Sequence, residues 1–144
     1  MRLSAKTEYA SLAMLELARR QDDEEPVRIR EIAESHGVPS QFLVQILLQL
    51  KAAGLVTSTR GAAGGYRLAR DAASLTLADI HDVFAGPAAI DPVIGHEGPR
   101  SRAGDVLHAA WQEVSRCQRQ VLESLDLATL ARRAAADTEA MYYI

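Results

Sequence analysis

Residues 29–70 read IREIAESHGVPSQFLVQILLQLKAAGLVTSTRGAAGGYRLAR, and the order of signals within them decides the fold. A short helix is expected over 29–35, closed at Gly37, a residue free to take the left-handed conformation that ends helices. Pro39 and Ser40 then open a second helix that runs to Gly54. On its wheel Phe42, Leu43, Ile46, Leu47 and Leu50 share one side, while Gln41, Val44, Gln45 and, at the margin, Leu48 share the other. Only the tight turn HGVP separates the two helices, so they cross steeply, as in a helix-turn-helix. LVTST follows, β-branched and polar; Gly61, Gly64 and Gly65 supply a hairpin tip, and residues 66–68 resume strand character. A two-stranded hairpin directly after a helix-turn-helix is a wing.

The flanks complete the plan. Ser4 caps a first helix whose Ala10, Ala13, Met14 and Leu17 recur on one face, and the polar run 21–26 ends it. Thr76 caps a helix over 77–85 with Leu77, Ile80, Val83 and Phe84 turned inward. Residues 86–103 hold three glycines and three prolines and form the longest irregular stretch, of the kind that is functional or mobile. Over 104–125 Leu107, Ala110, Val114, Cys117, Val121 and Leu125 recur at spacings of 3, 4, 3, 4 and 4. That is close to a coiled-coil seam, and too little chain remains to cover it, so a second copy is the expected cover. A short last helix is expected over 129–136. The fold class is therefore mainly α with a small β-hairpin: a winged helix-turn-helix (1–85), an irregular effector-type loop (86–103), and a dimerisation helix with a short carboxy-terminal helix (104–144).

Composition narrows the function. The 144 residues are 48% hydrophobic, enough for a core without staples. One cysteine excludes a disulfide framework, and neither a signal segment nor a long apolar run is seen, so a cytoplasmic protein without membrane association is expected. The net charge of −3 conceals an asymmetry: residues 1–70 hold 10 Lys/Arg against 8 Asp/Glu, and four of those acids form the single run 22–25. No Ser/His/Asp set, paired carboxylates or phosphate loop stands at catalytic spacing, so no enzyme is expected. His36, beside Gly37, reads as a local cap or surface residue, and His81 as structural.

Ser40, Gln41, Val44 and Gln45 sit where a major-groove helix reads bases; Gln pairs with adenine, and Val can meet a thymine methyl. A merely solvated face is the alternative. Arg60, with Gly61 beside it, stands at an unhindered turn able to enter a narrow minor groove. Lys6, Arg28, Arg30, Lys51 and Arg67 are candidate phosphate contacts.

MRLSAKTEYA, REIAESHGVPSQFLVQIL and KAAGLVTSTRGAAGGYRLAR together resemble the Rrf-two (BadM/Rrf) family of bacterial winged-helix transcriptional regulators. The resemblance is strong over about 1–85 and looser over the long helix, which carries Trp111. It implies a homodimer with crossed long helices on an imperfect palindrome in promoter DNA, with the recognition helix and wing arginine in contact with it. On this reading the protein is a repressor. Several members bind an iron–sulfur cluster through three cysteines before the long helix; here 86–103 contains none, only His96, Glu97 and His108 lie near, and Cys117 falls on the apolar seam. No cofactor or metal is therefore expected. Alternatives are a regulator of the same fold triggered by a small-molecule effector near 86–103, by the Cys117 thiol or by a partner protein, and a winged helix used as a protein–protein module.

Overall fold

The computed structural model describes residues 1–86 and 101–142, with side chains to residue 137. The elements run α1 (Ala5–Arg19), α2 (Ile29–His36), α3 (Ser40–Ala52), β1 (Val56–Thr59), β2 (Gly65–Leu68), a 3₁₀ turn (Ala72–Ser74), α4 (Leu77–Ala85), α5 (Arg102–Ser124) and α6 (Leu127–Tyr142). Mainly helical, with one antiparallel hairpin, the chain is a winged helix-turn-helix followed by a long helix, as its sequence implies. Among the described residues no helix is long and apolar enough to cross a membrane.

Helix α1 is the centre of the core because its small residues let neighbours approach. Ser4 Oγ accepts from the Thr7 amide at 3.1 Å and starts the helix. Ala10, Ala13 and Met14 are wholly buried, and α3, α4 and α6 pack around them. From α3 come Leu43, Ile46, Leu47 and Leu50; from α4 comes Ile80; from α6 comes Leu127. His36 is neither cap nor free surface: its Nε2 lies 3.0 Å from Glu16 Oε2, joining α2 to α1. Thr76 and Asp79 close a reciprocal capping box at the start of α4, and His81 is buried on that helix.

Two sequence expectations are corrected here. The last helix spans Leu127–Tyr142 instead of 129–136, and it folds back onto α1. Its Ala- and Arg-rich composition has little hydrophobic contrast, so length and inner face were poorly marked. The segment 104–144 thus divides: α6 joins the core, while α5 buries only Ser115 and Leu122 along one flank. Leu125, placed on the seam, is instead half-buried at the joint, where its carbonyl accepts from the Leu77 amide at 3.0 Å. Among the described residues the rest of the seam stays uncovered: Leu107, Trp111, Val114 and Val121 are all large exposed apolar residues, and Ala110 and Cys117 are exposed with them.

Candidate nucleic-acid interface

Helix α3 owes its direction to the turn before it. Gly37 takes a left-handed conformation (φ 63°), and the Pro39 carbonyl accepts from the Phe42 and Leu43 amides at 3.1 and 3.3 Å. With Leu43, Ile46, Leu47 and Leu50 fixed in the core, helical periodicity sends Ser40, Gln41, Val44 and Gln45 outward together, and all four are exposed. Phe42 departs from expectation. It is 51% exposed and lies beside Tyr9 of α1, ring centroids 6.5 Å apart. Beside this pair an open groove of about 710 Å³ runs between α1 and α3, with Lys6 and Leu48 on its lining.

The wing is a four-residue ladder from Val56↔Leu68 to Thr59↔Gly65. Its turn requires glycine at two points: Gly61 has φ 106°, and a Cβ on Gly64 would lie 2.3 Å from the Thr59 carbonyl oxygen. Arg60 leads into this turn, exposed and with no partner among the described residues. A third strand, one residue wide, flanks the hairpin: Val27 and Tyr66 exchange both backbone hydrogen bonds, at 2.9 and 2.8 Å. That contact escaped the sequence reading, since its only trace is an apolar residue between Pro26 and Arg28.

The five candidate phosphate contacts differ in their surroundings. Lys6 is exposed at the start of α1. Lys51 Nζ donates to Ser58 Oγ at 2.6 Å, which places its ammonium between α3 and the wing. Arg30 pairs with Glu34 at 2.9 Å on an open helix face. Arg28 donates to the carbonyl of Ala62 in the wing tip. Arg67 points away from the tip, its guanidinium donating to the carbonyls of Asp23 (2.8 Å) and Glu24. Behind them Arg20 bridges Asp23 and Glu31 at 3.0 and 3.2 Å. The Arg28 backbone N–H above all, and Arg20 after it, hold the Glu31 carboxyl below its usual range.

An iron–sulfur cluster does not fit the donor set. The sequence supplies one thiol, Cys117, in the middle of an exposed helical face, and no group of three or more potential ligands converges among the described residues. His96, Glu97 and most of the segment 86–103 lie outside the described residues.

Comparison with known proteins agrees with this geometry. Residues 3–133 match the family described as "Rrf2: Iron-dependent Transcriptional regulator". The HTH-type transcriptional regulator CymR of Bacillus subtilis is 34% identical over 145 residues, covering 100% of both chains. The HTH-type transcriptional regulator IscR of Photorhabdus laumondii is 35% identical over 132 residues, covering 90% of this chain and 79% of the relative. The solved structure of B. subtilis CymR superposes with a TM-score of 0.81 at 32% identity, covering 92% of this chain and 98% of that one.

Proposed function

The chain belongs to the Rrf2 family and is a DNA-binding transcriptional regulator, and from that premise we propose that it acts as a homodimer on a palindromic promoter site. The observation that supports this most is the exposed apolar stripe on α5, from Leu107 to Val121, left uncovered among the described residues. An antiparallel or crossed pair of α5 helices covers both stripes at once, since a twofold interface is self-complementary. It also sets two α3 helices on one duplex, about 34 Å apart or a multiple of it.

In each protomer Ser40, Gln41, Val44 and Gln45 read the major groove, and Arg60 enters the adjacent minor groove with Gly61 giving it clearance. Lys6, Lys51 and Arg30 meet phosphates, Arg30 after exchanging Glu34 for the backbone anion. Arg28 and Arg67, whose guanidiniums donate to neutral backbone carbonyls, keep their charge and stand in the same set. We assign no catalytic step to this chain, place its work on DNA in the cytoplasm, and give it the role of a repressor that functions without an iron–sulfur cluster. An effector-binding role for 86–103 belongs to the same proposal.

The test is a titration of genomic duplex fragments by fluorescence anisotropy, with bound fragments recovered and sequenced. Two chains per duplex, a steep loss of affinity with salt, and a shared inverted repeat are expected. Arg60→Ala weakens binding by about tenfold, within the range of one lost arginine contact. Binding by single chains, or an affinity indifferent to salt, overturns the proposal.

A further inference from the structure

The connection between α1 and α2 grips the wing at three points. Val27 pairs with Tyr66 near the tip end of β2. Arg67, one residue on, reaches back to the carbonyls of Asp23 and Glu24. Arg28 donates to the Ala62 carbonyl, inside the turn that presents Arg60. The grip is itself anchored. The Arg28 N–H donates to Glu31 Oε2 at 2.8 Å, and Glu31 Oε1 accepts from both terminal nitrogens of Arg20 at 3.2 Å. Arg20 in turn donates through Nε to Asp23 at 3.0 Å. The acid run at 22–25, which on the sequence only diluted a basic surface, thus supplies part of the frame that holds the hairpin.

An isolated two-stranded hairpin is marginal in water, and a tip rich in glycine is freer still. A mobile tip must be ordered when it meets DNA, and that ordering subtracts from affinity. The Ala62 carbonyl is a neutral acceptor, so the bond restrains the tip without cancelling the positive charge of Arg28.

We propose that Arg28 is a positioning residue for the wing, tying the Ala62 carbonyl to the start of α2 so that Arg60 is already in place when the duplex arrives. The proposal rests on the DNA-binding reading above, and it differs from a direct phosphate contact by Arg28 in what it does to the free protein.

Two measurements test it. The first uses ¹⁵N relaxation of the full chain without DNA. The amides of residues 60–63 are expected near the rigid backbone value of about 0.85 in the wild type and below about 0.6 in Arg28→Ala. Arg28→Lys, whose ammonium can donate to the same carbonyl, restores order. The second is a double-variant cycle with a selected duplex. Arg28→Ala weakens binding by about tenfold in the wild type but by less than about twofold once Arg60 is already alanine, because the two act through one contact. A wing equally rigid in Arg28→Ala, or equal losses in both backgrounds, overturns the proposal and returns Arg28 to the phosphate contacts. If no duplex binds even the wild type, the DNA reading fails by itself, and the relaxation arm alone decides whether Arg28 orders the wing.

Discussion

Helices α3 and α5 are both amphipathic, yet the 13-residue α3 hides four large apolar side chains under α1 while the 23-residue α5 hides Ser115 and Leu122 alone. The difference lies in what surrounds them. Around α3 pack α1, α2, the first wing strand and α4; among the described residues α5 packs chiefly on α4, with Met1 at the edge of its apolar groove. Periodicity marks an apolar face equally well in both cases, but it cannot say which elements distant in sequence return to close that face. The core should therefore respond to substitution as a closed unit, and α5 as half of an interface.

The sharpest break is in the core. Leu47 is wholly buried among residues of α1 and α3. Truncating it to alanine leaves a cavity that this close-packed site cannot collapse around, at a cost of about 2–5 kcal/mol. Denaturant unfolding at fixed protein concentration measures it, and a midpoint within experimental scatter of the wild type contradicts the packing described. On α5 the outcome inverts. Trp111→Ala removes a 53% exposed side chain and leaves the unfolding of dilute single chains within about 0.5 kcal/mol of the wild type. Association, followed by sedimentation over a concentration series, weakens by about 2–4 kcal/mol, the scale of an interface anchor. Unaltered self-association in Trp111→Ala removes that residue from the interface.

The wing belongs to the core side of this comparison despite its exposed tip. A Cβ on Gly65 would stand 2.5 Å from the Val27 carbonyl oxygen, at a φ of 155° that side chains rarely adopt. Gly65→Ala therefore separates Val27 from Tyr66 or strains both, costing about 1–3 kcal/mol. Loss of the slow-exchanging Val27 and Tyr66 amides reports it directly; retention of both shows that the third strand can yield without breaking.

What was legible in the sequence follows the range of the signal. Caps at Ser4 and Thr76, the left-handed close at Gly37 and the glycine tip of the wing are written within a few residues, and each lies where those residues put it. The outward set Ser40, Gln41, Val44 and Gln45 follows from helical period alone, as does the exposure of Arg60 from its turn. Partners distant in sequence were not legible. Arg28 meets Ala62 across 34 residues and Arg67 meets Asp23 across 44, so the sequence, which offers both as phosphate contacts, gives no sign of these partners. Phe42 misled for a related reason: a wheel assigns it to the apolar side but cannot say that it stands at an open groove between α1 and α3.

The smallest expected effect lies at the joint where the two regions meet. Between α5 and α6, Asp126 bridges to Thr76, and its carboxylate accepts from the Thr129 amide at 2.8 Å and from its hydroxyl at 2.7 Å. The amide bond chiefly, and the hydroxyl next, lower the Asp126 pKa from its ordinary 3.8. A carboxyl whose folded pKa is depressed adds stability above its unfolded value and loses it as pH falls through the folded one. Acidification from about pH 5 to pH 3 should thus loosen this joint, among other carboxylate contacts. Asp126→Asn keeps an oxygen able to accept from Thr129 but cannot titrate. It should start slightly less stable at pH 7 and lose less on acidification, so that the two curves approach each other as pH falls below 3.8. Parallel curves across that range would show that the charge of Asp126 adds nothing to the cap it forms on Thr129 at the start of α6.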